Sequence, residues 1–342
     1  MPTLYGRKYT IEELKRLTST LDTLAGIRLM DYADGKARGL RAAEVWTGSG
    51  LRFTVWLDRA LDIGPAEFAG KPLAWMHPAL GTPAQYEPAA FGWLRTFGGG
   101  LVTTCGLTFF GQTEVDNKEE LGLHGRISHV PAEHISVHTG WQGDEYILTI
   151  EGQARQVVLF GENLLLTRRI TTALGATSFH IDDTVRNEGY RPAAHMLLYH
   201  CNFGFPVVSP DSHLIVDDES VSGREAAAQA GLSEHTRFEP PAPNYHEQVF
   251  FHKPRPDADG LVTASIINRV LNFGGFVRYR AAELPALSQW KNMGAGEYVC
   301  ALEPCTVHET PRAILREQGN LKMLAPGEEI HYHLELGVIE NH

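Results

Sequence analysis

The chain has 342 residues, 43% of them hydrophobic and 21% charged, a balance that excludes a disordered or fibrous polymer and fits a globular protein with a large core. Its net charge is −11 and its lysines and arginines are dispersed, so it lacks the basic stripe of a nucleic-acid binder. No apolar run approaches the roughly 20 residues of a membrane helix, and the first residues lack the apolar centre of a signal peptide, so the expectation is a cytoplasmic protein with neither membrane nor nucleic acid as partner.

Near the start, Thr10 and Glu13 make a capping-box pattern. Leu14, Leu17, Leu21 and Leu24 follow at helical spacing, and Gly26 is placed to end the helix. Residues 1–28 are therefore expected to form an N-terminal helical extension on a main domain of residues 29–342. From there the chain reads as strands: Leu51–Leu57, Tyr146–Ile150, Leu164–Thr172, Phe179–Val185, Phe273–Tyr279, Tyr298–Leu302 and His331–Val338. Turn signals such as Asn187-Glu-Gly and Pro326-Gly-Glu separate them. Arg224–Ala230 reads as a short helix. No βαβ alternation or internal repeat is visible. The pattern predicts an all-β protein, a large antiparallel sandwich. Cys105, Cys201, Cys300 and Cys305 form no CxxC pair and suggest free thiols in a reducing compartment.

Several segments can carry chemistry. Gly98, Gly99 and Gly100 let backbone approach either a ligand or another strand, and a tight β-turn is the simpler reading. His124 and Arg126 lie two apart between glycines, so in an extended segment both would face one ligand. The alternative for them is a core histidine and a surface ion pair. The run Met196–Phe203 delivers His200 on the face of Met196 and Leu198, with Asn202 and aromatic residues beside it. The run Glu297–Pro304 delivers Glu303 on an apolar face, where an unpaired carboxylate is costly. An imidazole and a carboxylate on two rigid strands make an acid–base pair, and aromatic neighbours suit a sugar. Trp290, flanked by Gln289, Lys291 and Asn292, offers a stacking ring or an ordinary core indole. His331 and His333 form an HxH pattern on a strand, which a metal-dependent isomerase would use, although no carboxylate follows at suitable spacing. Glu114, Asp116 and Glu303 are the carboxylates a glycoside hydrolase would need, without a recognisable pairing.

These pieces converge. Asp183-Thr-Val-Arg-Asn-Glu-Gly189, His200-Cys-Asn-Phe-Gly204, Leu302-Glu-Pro-Cys-Thr306 and Leu324-Ala-Pro-Gly-Glu328 stand in an order that resembles the aldose 1-epimerases of the galactose mutarotase-like superfamily. Thr104-Cys-Gly-Leu107 and Leu123-His-Gly-Arg-Ile127 resemble its DUF4432 branch. The resemblance implies a β-supersandwich, no metal and no organic cofactor. It implies that His200 protonates the ring oxygen of a sugar while Glu303 takes the anomeric proton, starting from an ionised Glu303 and a protonated His200. It places His124 on a substrate oxygen, with Arg126 as its companion. The usual Asn-Arg segment is not evident, and Arg59 and Asp62 are its candidate replacements. The expected partner is a small sugar or sugar derivative. The rivals are a non-catalytic sugar-binding protein and a metal-dependent sugar isomerase; the oligomeric state is open, with a homodimer among the options.

Overall fold

The structure, a computed structural model, describes residues 1–81 and 90–340. The capping box forms as the sequence predicts: Thr10 Oγ1 accepts from Glu13 N at 3.2 Å, and Glu13 Oε2 accepts from Thr10 N at 2.8 Å. Helix α1 is Ile11–Leu17, however, and does not run on to Gly26. Thr20 starts a separate 3-10 turn, Leu21–Thr23, by accepting from Asp22 N. The Ser/Thr run breaks the helix because short hydroxyl side chains compete for backbone groups. Leu14 still reaches the main core, 2% exposed.

Three antiparallel sheets dominate. A five-stranded sheet contains Gly26–Asp31, Arg41–Trp46, Leu51–Trp56, Asp62–Phe68 and Lys71–Pro72 in chain order. An eight-stranded sheet begins with the meander Glu133–Gln142, Glu145–Val157, Asn163–Ala173 and Ser178–Asn187. It continues through Glu329–Glu340, Phe273–Arg280, Leu261–Asn268 and Ser212–Ile215. The predicted strands fall in these two sheets, with Leu51–Leu57 overrunning its strand by one residue, except Tyr298–Leu302, which belongs to the third. No helix among the described residues is long and apolar enough to cross a membrane.

The third sheet carries the site. Its strands are β1 (Thr103–Leu107), β2 (Met196–Phe203), β3 (Asp218–Gly223), β4 (Gln248–Pro254), β5 (Ala286–Gly294) and β6 (Glu297–Cys305). Their spatial order is β3-β4-β5-β6-β2-β1. Strand β2 is buried along its whole length, and its side chains alternate between two cores. Leu197, Tyr199, Cys201 and Phe203 enter the main core, whereas Met196 and Leu198 enter a second cluster with Trp93, Phe97 and Leu123.

One buried network ties the three sheets together. Arg168, 0% exposed, bonds Asp183 Oδ1 and Oδ2 at 2.9 and 2.6 Å within the eight-stranded sheet. It also reaches Asp62 Oδ1 at 3.0 Å in the five-stranded sheet and Thr104 Oγ1 at 2.8 Å on β1. Tyr199 on β2 donates to Asp183 Oδ2 at 2.7 Å. Burial is affordable here because nearly every polar atom of the group has a partner. The four cysteines are buried and unbridged.

Candidate active site

The pairing of β2 with β6 brings the two principal side chains together. Leu198 faces Cys305, and Cys201 faces Leu302. The same alignment sets His200 opposite Glu303, since cross-strand partners on one face lie about 4.5–5.5 Å apart at Cβ. His200 Nε2 stands 3.0 Å from Glu303 Oε1, with side-chain exposures of 5% and 7%. Both line a pocket of about 400 Å³, within the usual range of about 300–1,000 Å³ for small-molecule sites.

The walls of this pocket are aromatic and acidic. Trp75, Trp93, Phe97 and Trp290 contribute rings; Trp290 lies edge-on to His200 at 5.4 Å and donates from Nε1 to Glu247 Oε2 at 2.8 Å. The three glycines serve strand approach. A Cβ on Gly99 (φ +69°) would sit 2.3 Å from Trp75 O, and one on Gly100 (φ +97°) 2.6 Å from Ile63 O. Their absence of side chains lets Trp75 sit against the sheet and form the wall. Arg224 also lines the pocket and is paired with Glu309 at 2.6 Å and Glu225 at 3.0 Å.

Burial governs the protonation of the pair. It lowers His200 to about 3, an effect that His124 reinforces and the Asn202 carboxamide opposes. Burial pushes the Glu303 carboxyl well above its usual range; Glu309 adds to this and Arg224 opposes it. Burial thus works against the expected ionised starting pair and toward neutral Glu303–COOH beside neutral imidazole. The two arrangements hold the same single proton, displaced along one 3.0 Å contact. His124, lowered to about 4 chiefly by burial, is neutral beside them, its ring 5.7 Å from that of His200. His124 Nδ1 and His200 Nδ1 are buried without a hydrogen-bond partner among the described residues, which marks a place prepared for other polar groups.

Of the eight sequence-predicted site residues, His200, Glu303, His124 and Trp290 line the pocket, and the other four do not. Arg126 forms an ion pair with Glu162 instead. The segment is not extended, because His124 (φ +56°) and Gly125 (φ +75°) turn it, so residues two apart diverge. Asn202 gives its amide to Gly100 O and His200 O at 2.9 and 3.0 Å, positioning β2 rather than forming wall. Asp62 belongs to the Arg168 network and accepts from Thr104 N. Arg59 is 2% exposed and donates to Gly81 O at 3.2 Å. Arg59 lies in the turn after Leu51–Trp56 and Asp62 opens the next strand, and both side chains are bonded by groups distant in sequence. His331 and His333 lie exposed on the Glu329–Glu340 strand, held by Thr184 and Glu283. Glu114 and Asp116 are engaged by Arg312 and Arg316. The sequence reading missed Trp75, Arg224, Glu247 and Glu309 as wall residues; no local motif marks them, because they reach the pocket from separate loops and strand ends.

The model of the family described as a domain of unknown function (DUF4432) matches residues 37–338. Among solved structures the chain is similar to a candidate aldose 1-epimerase of Klebsiella pneumoniae, with TM-score 0.87 and 23% identity over 94% of this chain and 86% of that one. It is similar to a galactose mutarotase-like protein of Clostridium acetobutylicum, with TM-score 0.64 and 13% identity over 93% and 100% of the two chains. It is also similar to a galactose 1-epimerase of Lactobacillus acidophilus, with TM-score 0.57 and 11% identity over 93% and 100%. At these identities the likeness is one of fold, and the architecture is galactose mutarotase-like. No curated protein matches the sequence.

Proposed function

The chain belongs to the DUF4432 family, and from that premise we propose that it is a carbohydrate mutarotase, interconverting the anomers of a free sugar by acid–base ring opening. The observation that carries the reading is the His200 Nε2–Glu303 Oε1 contact of 3.0 Å at the base of an aromatic pocket. Two oxygens on one carbon lie closer together than a hydrogen-bonded pair at about 2.5–3.0 Å, so groups this close can each reach one oxygen of an anomeric centre. From the ionised arrangement, reached when the shared proton crosses the 3.0 Å contact to His200, Glu303 takes the proton of the anomeric hydroxyl while His200 gives one to the ring oxygen. The C1–O5 bond breaks, an open-chain aldehyde forms, and rotation about C1–C2 presents the other face. Closing reverses both transfers.

The protonation balance suits this cycle. When the aldehyde is bound, Glu303 is protonated and His200 neutral, the arrangement that burial favours. Burial therefore favours the protonation state reached at the open-chain stage over the ionised one from which ring opening starts. The proton balance closes within the pair, so the reaction as written calls for no redox carrier. The half-buried Trp75 and Trp290 offer ring surface to the C–H side of a pyranose, and His124 stands ready for a hydroxyl.

Glu303→Gln and His200→Asn each remove one proton-transfer partner and are expected to lower catalysed anomer exchange by about 10²–10⁴-fold. NMR exchange spectroscopy across a panel of aldoses measures this directly. Sugar binding with no acceleration by the wild-type protein would instead identify a non-catalytic sugar-binding protein. Near-normal rates in both variants would take the pair out of the reaction.

A further inference from the structure

Behind the pocket-bearing sheet, Asp218 on β3, His252 on β4 and His235 after the 3-10 turn Leu232–Glu234 each direct one ligand atom to a common point, all within 4.8 Å of one another. The hydrogen bonds around them fix where the lone pairs lie. Gln289 Nε2 lies 2.8 Å from His235 O, an atom that only accepts, so the Gln289 amide cannot be reversed. Its Oε1 is therefore the group 3.1 Å from His252 Nε2, and that nitrogen carries a hydrogen. A neutral His252 then turns the lone pair of Nδ1 toward Asp218 Oδ2 at 2.8 Å, lone pair against carboxylate. Some cation must sit between them.

A proton would join His252 to Asp218 and leave two further groups unused. Asp218 Oδ1 is buried without a hydrogen-bond partner among the described residues. His235 donates from Nδ1 to Leu232 O at 2.7 Å, which leaves Nε2 as its lone-pair atom. Backbone or carboxamide acceptors thus orient both imidazoles, as the outer shell of a metal site does. The β3–β4 register shifts between Asp218 and Ser220, and a shift of this kind re-aims a side chain. The neighbouring Lys291 ammonium is compensated by Glu239 at 2.8 Å.

From this arrangement we propose that Asp218, His235 and His252 form a binding site for a divalent transition metal of the zinc class. Tetrahedral coordination at about 2.0–2.1 Å sets neighbouring ligand atoms about 3.4 Å apart, so closure asks at most about 1.4 Å of the widest pair. His235, less buried than His252, is the residue free to move. The ion clamps the segment between β3 and β4, which carries Arg224 and Glu247 to the pocket wall. Its role is to hold that wall, and the inference stands independently of the sugar reading.

The test uses the untagged full chain, stripped by a chelator and titrated with Zn²⁺ against a chromophoric competitor, with Co²⁺ absorption as a second probe. One ion per chain is expected, with a rise in Tm. An outer-shell partner is worth about 10–100-fold in metal affinity, so loss of a ligand in His235→Ala or Asp218→Asn is expected to cost about 100-fold or more. The double variant His331→Ala/His333→Ala keeps the site. The melting curve of metal-free His235→Ala reports whether that variant is folded. Unchanged affinity in folded His235→Ala, or the absence of a stoichiometric ion in the wild type, overturns the assignment.

Discussion

Glu303→Asp isolates geometry from charge. The substitution keeps a carboxyl group on β6 but removes one C–C bond, about 1.5 Å of reach. The contact with His200 Nε2, now 3.0 Å, opens toward about 4.5 Å, beyond the distance at which a hydrogen bond persists. Because β2 and β6 are buried interior strands, neither backbone can close the gap. If the pair acts by concerted transfer across one anomeric centre, the variant forfeits most of an acid–base contribution of about 10²–10⁴-fold. That is about 2.7–5.4 kcal/mol at roughly 1.36 kcal/mol per decade. The lost methylene costs only about 1 kcal/mol of stability, so the protein stays folded and the comparison is clean. NMR magnetisation transfer between anomers, corrected for the uncatalysed rate, reads the effect in kcat. A Glu303→Asp rate within threefold of wild type would refute the reasoning, since a carboxylate at the wrong distance would then suffice.

Two other outcomes are expected. The pair holds one proton between the lowered value of His200, about 3, and the raised value of Glu303, so kcat stays flat across neutrality and shows no inflection near the free-histidine value of about 6.5. Acid removes activity only as a second proton enters below the His200 value, and base removes it as the last proton leaves Glu303; a pH–rate profile bending near 6.5 would contradict the burial argument. Arg168→Met leaves Asp62 and Asp183 buried without their cation, and breaking such a pair costs about 3–5 kcal/mol, read as a fall in the urea midpoint.

The strands were legible because their alternation is regular, and His200 and Glu303 stood out because polar groups end apolar runs. Their direct opposition was not legible: it depends on how β2 and β6 align, and about ninety residues of intervening chain separate them. The fate of His124 and Arg126 turned on one local conformation. A non-glycine residue with φ +56° is uncommon, and nothing in the composition of the segment announces it. Arg59, Asp62 and Asn202 do not face the pocket, because a sequence shows a side chain's capacity to bond and hides which distant groups will claim it. The N-terminal helix stopped early because Ser19 and Thr20 outweighed the leucine spacing. The wall formed by Trp75, Arg224, Glu247 and Glu309 has no contiguous signature at all.

Strand β2 presents an imidazole to one side at position 200 and, one step earlier, a phenol at 199 to the anchoring arginine–aspartate cluster on the other. Deleting or inserting a single residue there would make each side chain trade sides, sending the tyrosine outward and the histidine into the cluster. Placement of the pocket imidazole and inter-sheet anchorage are thus written in the same eight residues, so length changes can be absorbed in the surrounding loops but not along this segment.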